Sequence, residues 1–232
     1  MVICYNVTHT LSLPADPISP MDHTSETDNS SWRKQSWIPL ATILAVAAVL
    51  RYVGISWGLP NELHLFSYHP DEFHSLRGAL SMVVGDLNPH FFNYGSLYLY
   101  LVGFVALAFS GGSFALVSVE QVPYLLRTWT LLGREITLVM ALLTVVAVYY
   151  LGRELVNHRI GLIAAALIAV FPIHVLHSHY ATVDVTQTLF ITICLIFAVR
   201  IYNDPRRRNY VIAGIAAGLA AFVGYVAVAR NV

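Results

Sequence analysis

Residues 95–118 read GSLYLYLVGFVALAFSGGSFALVS, and whether this run crosses a membrane decides the topology of the chain. Other apolar runs flank it. Trp37 to about Leu59 contains about 20 apolar residues, enough at about 1.5 Å per residue to cross a hydrocarbon core of roughly 30 Å. Further runs extend from about Leu131 to Leu151, Ile160 to Leu176, Thr186 to Ile201 and Tyr210 to Ala229.

Basic residues supply the test, because cytoplasmic turns collect Arg and Lys. Arg33 and Lys34 precede the first run and place the N-terminus inside. Arg153 and Arg159 flank one short turn, and Arg200 with Arg206–Arg208 flank another, so both turns belong inside. Crossings at 37–59 and 131–151 return the chain to the cytoplasm. One extra crossing by 95–118 would reverse every later sign. The run is therefore expected to re-enter, to lie on the outer face, or to make two short crossings. A long outer loop, about residues 60–130, and a short one near 174–185 follow.

Composition agrees. Of 232 residues, 57% are hydrophobic and only 11% charged, with a formal net charge of zero, and mean hydropathy is +0.64. A soluble domain carries roughly a quarter charged residues. These values exclude a disordered chain, a basic nucleic-acid binder and an ordinary cytosolic enzyme. The expected fold is all-α, a polytopic transmembrane bundle spanning 37–232 with juxtamembrane helices in its long first outer loop. Residues 1–36 are polar, rich in Ser, Thr and Pro, and without period, and are expected to form a disordered cytoplasmic tail. Cys4 and Cys194 lie in dissimilar surroundings and read as unpaired thiols.

The remaining polar features of interest fall on the outer loops. The first is Tyr68-His69-Pro70-Asp71-Glu72-Phe73-His74. Pro70 suits the first position of a helix. Phe73, Leu76, Leu80, Val83 and Val84 then recur at helical spacing, which predicts an amphipathic helix on the outer surface. Asp71 and Glu72 occupy its first turn, where the dipole favours carboxylates. A carboxylate there suits a general base, although two acids at a helix start are also ordinary capping chemistry. The second is Asn88-Pro89-His90-Phe91-Phe92-Asn93-Tyr94, either an interfacial aromatic girdle or a groove where a lipid-linked substrate meets water. The third is His174, His177, His179, Tyr180 and Asp184 between two spans. Ionisable groups at membrane depth are costly and usually functional. Histidines with a carboxylate are also compatible with a divalent metal, but no His-Glu-x-x-His pattern or companion cysteine strengthens that reading.

Taken in order, these motifs resemble the GT-C superfamily of integral-membrane glycosyltransferases, in the branch related to protein O-mannosyltransferases and aminoarabinose transferases. Tyr-His-Pro-Asp-Glu at 68–72 is similar to the family's acidic motif in the first outer loop. The stretch 86–101 resembles the juxtamembrane segment that follows it, and His177 to Asp184 is similar to the second outer-loop motif. The resemblance implies transfer of a sugar from a polyprenyl- or dolichyl-phosphate carrier to a hydroxyl on the outer face. The acceptor would be a protein, glycan or lipid, the surroundings membrane lipid, and no nucleic acid is involved. Asp71 would deprotonate the acceptor hydroxyl, Glu72 would help hold the acceptor, and Asp184 would complete the site. His69, His74, His90, Tyr94, His179 and Tyr180 are expected to line the substrates. Arg127 and Arg134 are candidates for the donor phosphate, since a guanidinium suits phosphate geometry, or else they snorkel to headgroups. Arg51 has the same two readings.

No metal site is assigned and no cofactor is certain. The expected location is a prokaryotic plasma membrane with the site facing outward. Members of the family continue into further spans, so the chain is expected to be a truncated N-terminal part. Two rivals stand: a metal-dependent membrane hydrolase using His174, His177, His179 and Asp184, and a proton-coupled transporter.

Overall fold

In the computed structural model, residues 37–83, 88–91, 93–109 and 122–224 are described; the polar tail at 1–36 lies outside them. Among the described residues eight helices follow one another: α1 (Trp37–Tyr52), α2 (Pro70–Val83), α3 (Leu97–Phe109), α4 (Val122–Leu155), α5 (His158–Val170), α6 (Pro172–His177), α7 (Asp184–Asn203) and α8 (Arg207–Gly224). No β-strand occurs among the described residues.

The organising element is α4. Its 34 residues make it about 51 Å long, well beyond a hydrocarbon core of roughly 30 Å. One end of it enters a core with Leu76 and Ala79 of α2, Tyr98, Leu99 and Val102 of α3, and Val223 of α8. Further along, Val145 and Tyr149 pack on Ala47 of α1 and on Ala165 and Ala169 of α5. Ala147 meets Leu189 and Ile196 of α7. Two helices, Pro123–Leu155 and Asp184–Asn203, are long and apolar enough to cross a membrane, while Trp37–Tyr52, Leu97–Phe109 and His158–Val170 are shorter apolar helices. Val46, Ile163, Leu167, Ile191, Leu195 and Ile215 face outward and exposed. So many apolar side chains on several helices would be a liability in water and are the expected covering in lipid. Thr137, Thr144, Thr188 and Thr192 return their hydroxyls to carbonyls one turn earlier within their own helices, which leaves little unpaired polarity along the spans.

Two expected spans are shorter than their apolar runs. The run 37–59 ends as helix at Tyr52, and the chain turns at Gly54 and Gly58, whose φ values of 86° and 64° favour glycine. A Cβ on Gly58 would lie 2.5 Å from Cδ2 of Tyr68, so that ring can rest on the turn only because no side chain intervenes. The run 160–176 breaks between Val170 and Pro172. Proline has no N–H to donate and crowds the carbonyl four residues earlier, which here belongs to Ile168. Arg51 takes up that freed carbonyl at 3.3 Å and the next, of Ala169, at 2.8 Å.

The run 95–118 is described as far as Phe109, as α3, and its remainder, 110–118, lies outside the described residues. The 13 residues of α3 measure about 20 Å, too short to span alone. It packs against α2 and α4 in the core that holds Leu76, Tyr98 and Val223. At the opposite end of α4, Arg200 and Glu154 pair at 2.7 Å and join the turns that follow α4 and α7.

Candidate functional site

The acidic motif opens α2 as the sequence predicts, with Pro70 first and Asp71 and Glu72 in the first turn. Successive residues of a helix point about 100° apart, and the two acids part accordingly. Asp71 is half-buried, whereas Glu72 is wholly buried.

Glu72 sits at the centre of a polar hub. Its Oε1 accepts from Arg134 Nε at 2.8 Å and from the Ala181 amide at 2.7 Å, and its Oε2 accepts from an Arg134 terminal nitrogen at 2.8 Å. The other terminal nitrogen of Arg134 donates to the carbonyls of Ile55 and Trp57, each at 2.7 Å. All three guanidinium nitrogens are thus engaged, and Arg134 is as buried as its partner. A bidentate carboxylate–guanidinium pair is the geometry in which two buried charges best satisfy each other. The hub ties together the turn after α1, the start of α2, the outer part of α4 and the second outer loop. Glu72, expected to hold the acceptor, and Arg134, expected to meet a phosphate, are therefore committed to each other.

Asp71 keeps different company. The Tyr94 hydroxyl hydrogen-bonds with Asp71, and the phenol is held above its ordinary value, first by burial and then by the negative charges of Asp71 and Asp184. Residues from the first two motifs thus touch, and the charge of the third acts on the same phenol. Asp184 is exposed at the first position of α7, and its Oδ2 lies 3.5 Å from His177 Nδ1. Aromatic rings frame the place. His69 packs on Tyr180 with centroids 4.3 Å apart, His74 lies parallel to Phe91 at 5.2 Å, and Phe91 meets Tyr94 edge-on at 5.6 Å. Gly95 brings this segment against the end of α8: its amide donates to the Val223 carbonyl at 3.1 Å. A Cβ on Gly95 would fall 1.8 Å from the Phe222 carbonyl oxygen, so no other residue fits that approach.

The remaining expected site residues are placed elsewhere. Arg127 is exposed and lines a cleft of about 500 Å³ with Glu62, Leu63 and Tyr124. His90 is exposed, with φ of 49°, and its amide donates to Asn88 Oδ1 at 3.0 Å. His179 places both ring nitrogens against backbone carbonyls, of Val175 at 2.8 Å and Val53 at 2.9 Å. His174 is buried, and its Nδ1 lies 2.8 Å from an Arg51 nitrogen. Burial, then the charges of Arg51 and His177, push its imidazole down to about 4. It is therefore neutral near pH 7 and accepts from Arg51 at Nδ1. The histidines of the second loop thus turn to different partners, and the described residues contain no group of three His, Cys, Asp or Glu able to hold a metal ion. The metal centre weighed from His174, His177, His179 and Asp184 is not assembled. The carbonyls of Val53, Ile55 and Trp57 were not foreseeable as participants, since backbone groups leave no trace in side-chain chemistry.

Comparison with known proteins agrees with this architecture. Residues 122–229 match the family model of dolichyl-phosphate-mannose-protein mannosyltransferases. That match includes the second outer loop and Asp184 but stops short of Asp71. In fold, the chain is similar to the crystal structure of the Archaeoglobus fulgidus oligosaccharyltransferase in the apo form, with a TM-score of 0.56 and 20% identity. The likeness covers 83% of this chain and 24% of that one, so the chain spans about a quarter of that protein's length. No curated protein matches. The sequence match over 122–229 and the shared fold agree with the resemblance to GT-C glycosyltransferases carried by the motifs.

Proposed function

We propose that the chain forms the part of a membrane glycosyltransferase that moves a sugar from a polyprenyl- or dolichyl-phosphate carrier to an acceptor hydroxyl on the outer face, in a prokaryotic plasma membrane. The observation that supports the reading is the Tyr94 hydroxyl, which hydrogen-bonds with Asp71 and feels the negative charge of Asp184 from the other loop. A half-buried carboxylate engaged with a hydroxyl in an aromatic-framed place suits general-base chemistry on an alcohol. Asp71 takes the proton as the acceptor oxygen attacks the anomeric carbon. The bond from that carbon to the carrier phosphate oxygen breaks, and the phosphate leaves with the electron pair, needing no proton. Displacement from the opposite side inverts the anomeric centre. His69, His74, Phe91 and Tyr180 offer ring faces for sugar or acceptor. The Glu72–Arg134 hub holds both loops at their working separation, a support worth as much as the chemistry when reacting atoms must lie within about 3.5 Å.

The test is transfer of labelled sugar from a polyprenyl-phosphate mannose to peptide and glycan acceptors by the purified membrane protein. Asp71→Asn should lower transfer by roughly 10²- to 10⁴-fold while its thermal unfolding stays that of the parent. Undiminished transfer by the variant would overturn the assignment.

A further inference from the structure

The loop between Val175 and Asp184 is fastened to the turn after α1 by contacts that involve neither Asp71 nor Asp184. His179 is central to them. Its Nδ1 is 2.8 Å from the Val175 carbonyl and its Nε2 is 2.9 Å from the Val53 carbonyl. Both partners are oxygens that only accept, and a neutral imidazole carries a single N–H. A neutral ring would turn a lone pair toward one of the two carbonyls. Both contacts become hydrogen bonds only when each ring nitrogen carries a proton.

We infer that His179 is a positioning residue for sugar transfer, a cationic clasp that draws the loop between Val175 and Asp184 onto the turn after α1 and thereby holds that loop against the Glu72–Arg134 hub. The route is short. Val53 lies two residues before Ile55, whose carbonyl receives Arg134. On the other side, Tyr180 packs on His69 and the Ala181 amide donates to Glu72. Opening the clasp frees the loop between Val175 and Asp184 on its α1 side, leaving the Ala181–Glu72 bond, the packing of Tyr180 on His69 and the burial of Val183 to hold it.

The charged and titratable groups around the clasp are few. Arg51 on α1 and His174 on α6 are bound to each other. His177 on α6 faces Asp184. Tyr180 lies under Arg134, whose charge is matched by Glu72. None of these groups supplies the second proton in place of His179.

The inference rests on the glycosyltransferase reading for its rate arm but not for its structural arm. In the full protein, His179→Gln should lower kcat on the order of ten- to a hundredfold, as expected for small misplacement of a reacting group, with KM for the lipid-phosphate sugar changed less than about twofold. His179→Arg, with a fixed charge and several N–H donors, should restore most of the rate. It should also remove one alkaline limb from the pH–rate profile of the parent. A raised donor KM in His179→Gln would show instead that the ring meets the donor phosphate, and an alkaline limb kept in His179→Arg would equally overturn the clasp. Amide hydrogen exchange over residues 178–183 tests the same idea without catalysis. Exchange should quicken in His179→Gln, and in the parent as pH rises beyond the change in intrinsic rate, but not in His179→Arg. Unaltered exchange sinks the clasp. Altered exchange in a protein that transfers no sugar would sink the enzymatic reading and leave the clasp standing.

Discussion

Removing one charge of the Glu72–Arg134 pair should cost more stability than any other single substitution at the outer end. In Glu72→Gln the side chain keeps its shape, and its amide oxygen can still accept from the Ala181 amide and Arg134 Nε. The new NH₂ group then faces the Arg134 nitrogen that donated to Oε2 at 2.8 Å, placing donor against donor. The guanidinium, buried to 1% exposure, loses its only carboxylate. Breaking a buried pair from one side costs about 3–5 kcal/mol, and at roughly 2–4 °C per kcal/mol for a chain of this size the midpoint should fall by about 6–20 °C. Arg134→Met should cost at least as much, because it also strands the Ile55 and Trp57 carbonyls. The double variant Glu72→Leu/Arg134→Met should be less damaging than the sum of its singles, since no charge is left uncompensated. Thermal unfolding of the detergent-solubilised protein, followed by tryptophan fluorescence, measures all three. A single-variant loss of under about 2 °C, or strict additivity in the double, would refute the idea that this pair holds the two loops together.

Other expectations follow from the same geometry. Gly95→Ala should unsettle the packing of α3 on α8, because its Cβ would lie 1.8 Å from the Phe222 carbonyl; heightened proteolysis near residues 93–97 would show it, and an unchanged midpoint would count against the close approach. His174, held down at about 4 in the folded chain, binds a proton first in the unfolded state, near pH 6.5. Stability should therefore be complete above about pH 6.5 and drain as pH falls toward 4, and His174→Gln should remove that part of the acid dependence in a thermal-shift series. Tyr94 is displaced upward, so the stability it contributes is complete below its ordinary value near 10 and is lost only at higher pH. Tyr94→Phe should accordingly leave the thermal midpoint's pH dependence between 5 and 9 unchanged.

Much of the fold was legible because apolar runs and Arg placement report on two separate physical constraints, the thickness of lipid and the sign of its inner face. The expectation for 95–118 came from their combination, and the described part of that run, α3, packs on α2 and α4. Less legible were the helix ends. The apolar run after Tyr52 continues through Val53, Ile55 and Trp57, and hydropathy does not register that two glycines turn it. Pro172 was visible, but its effect on α5 depends on Arg51 being near enough to take the released carbonyls. At the site, Asp71 and Glu72 look alike on paper. Which one is sealed away depends on Arg134, far along the chain, and on a backbone amide at Ala181 that every sequence possesses. Arg134 itself reads as a phosphate ligand or a snorkelling cation until its carboxylate is located in space.

The unbroken length of α4 has a mechanical consequence. The same rod that is gripped along one stretch by α1, α5 and α7 carries Arg134, and through it the hub, about 18 Å from its first residue. Because the helix is continuous, no loop within it absorbs displacement, and a change of bilayer thickness that tilts it must also swing the loops. Reconstitution into vesicles of progressively longer acyl chains should therefore alter turnover smoothly, making the lipid around this protein a throttle on its chemistry as well as its solvent.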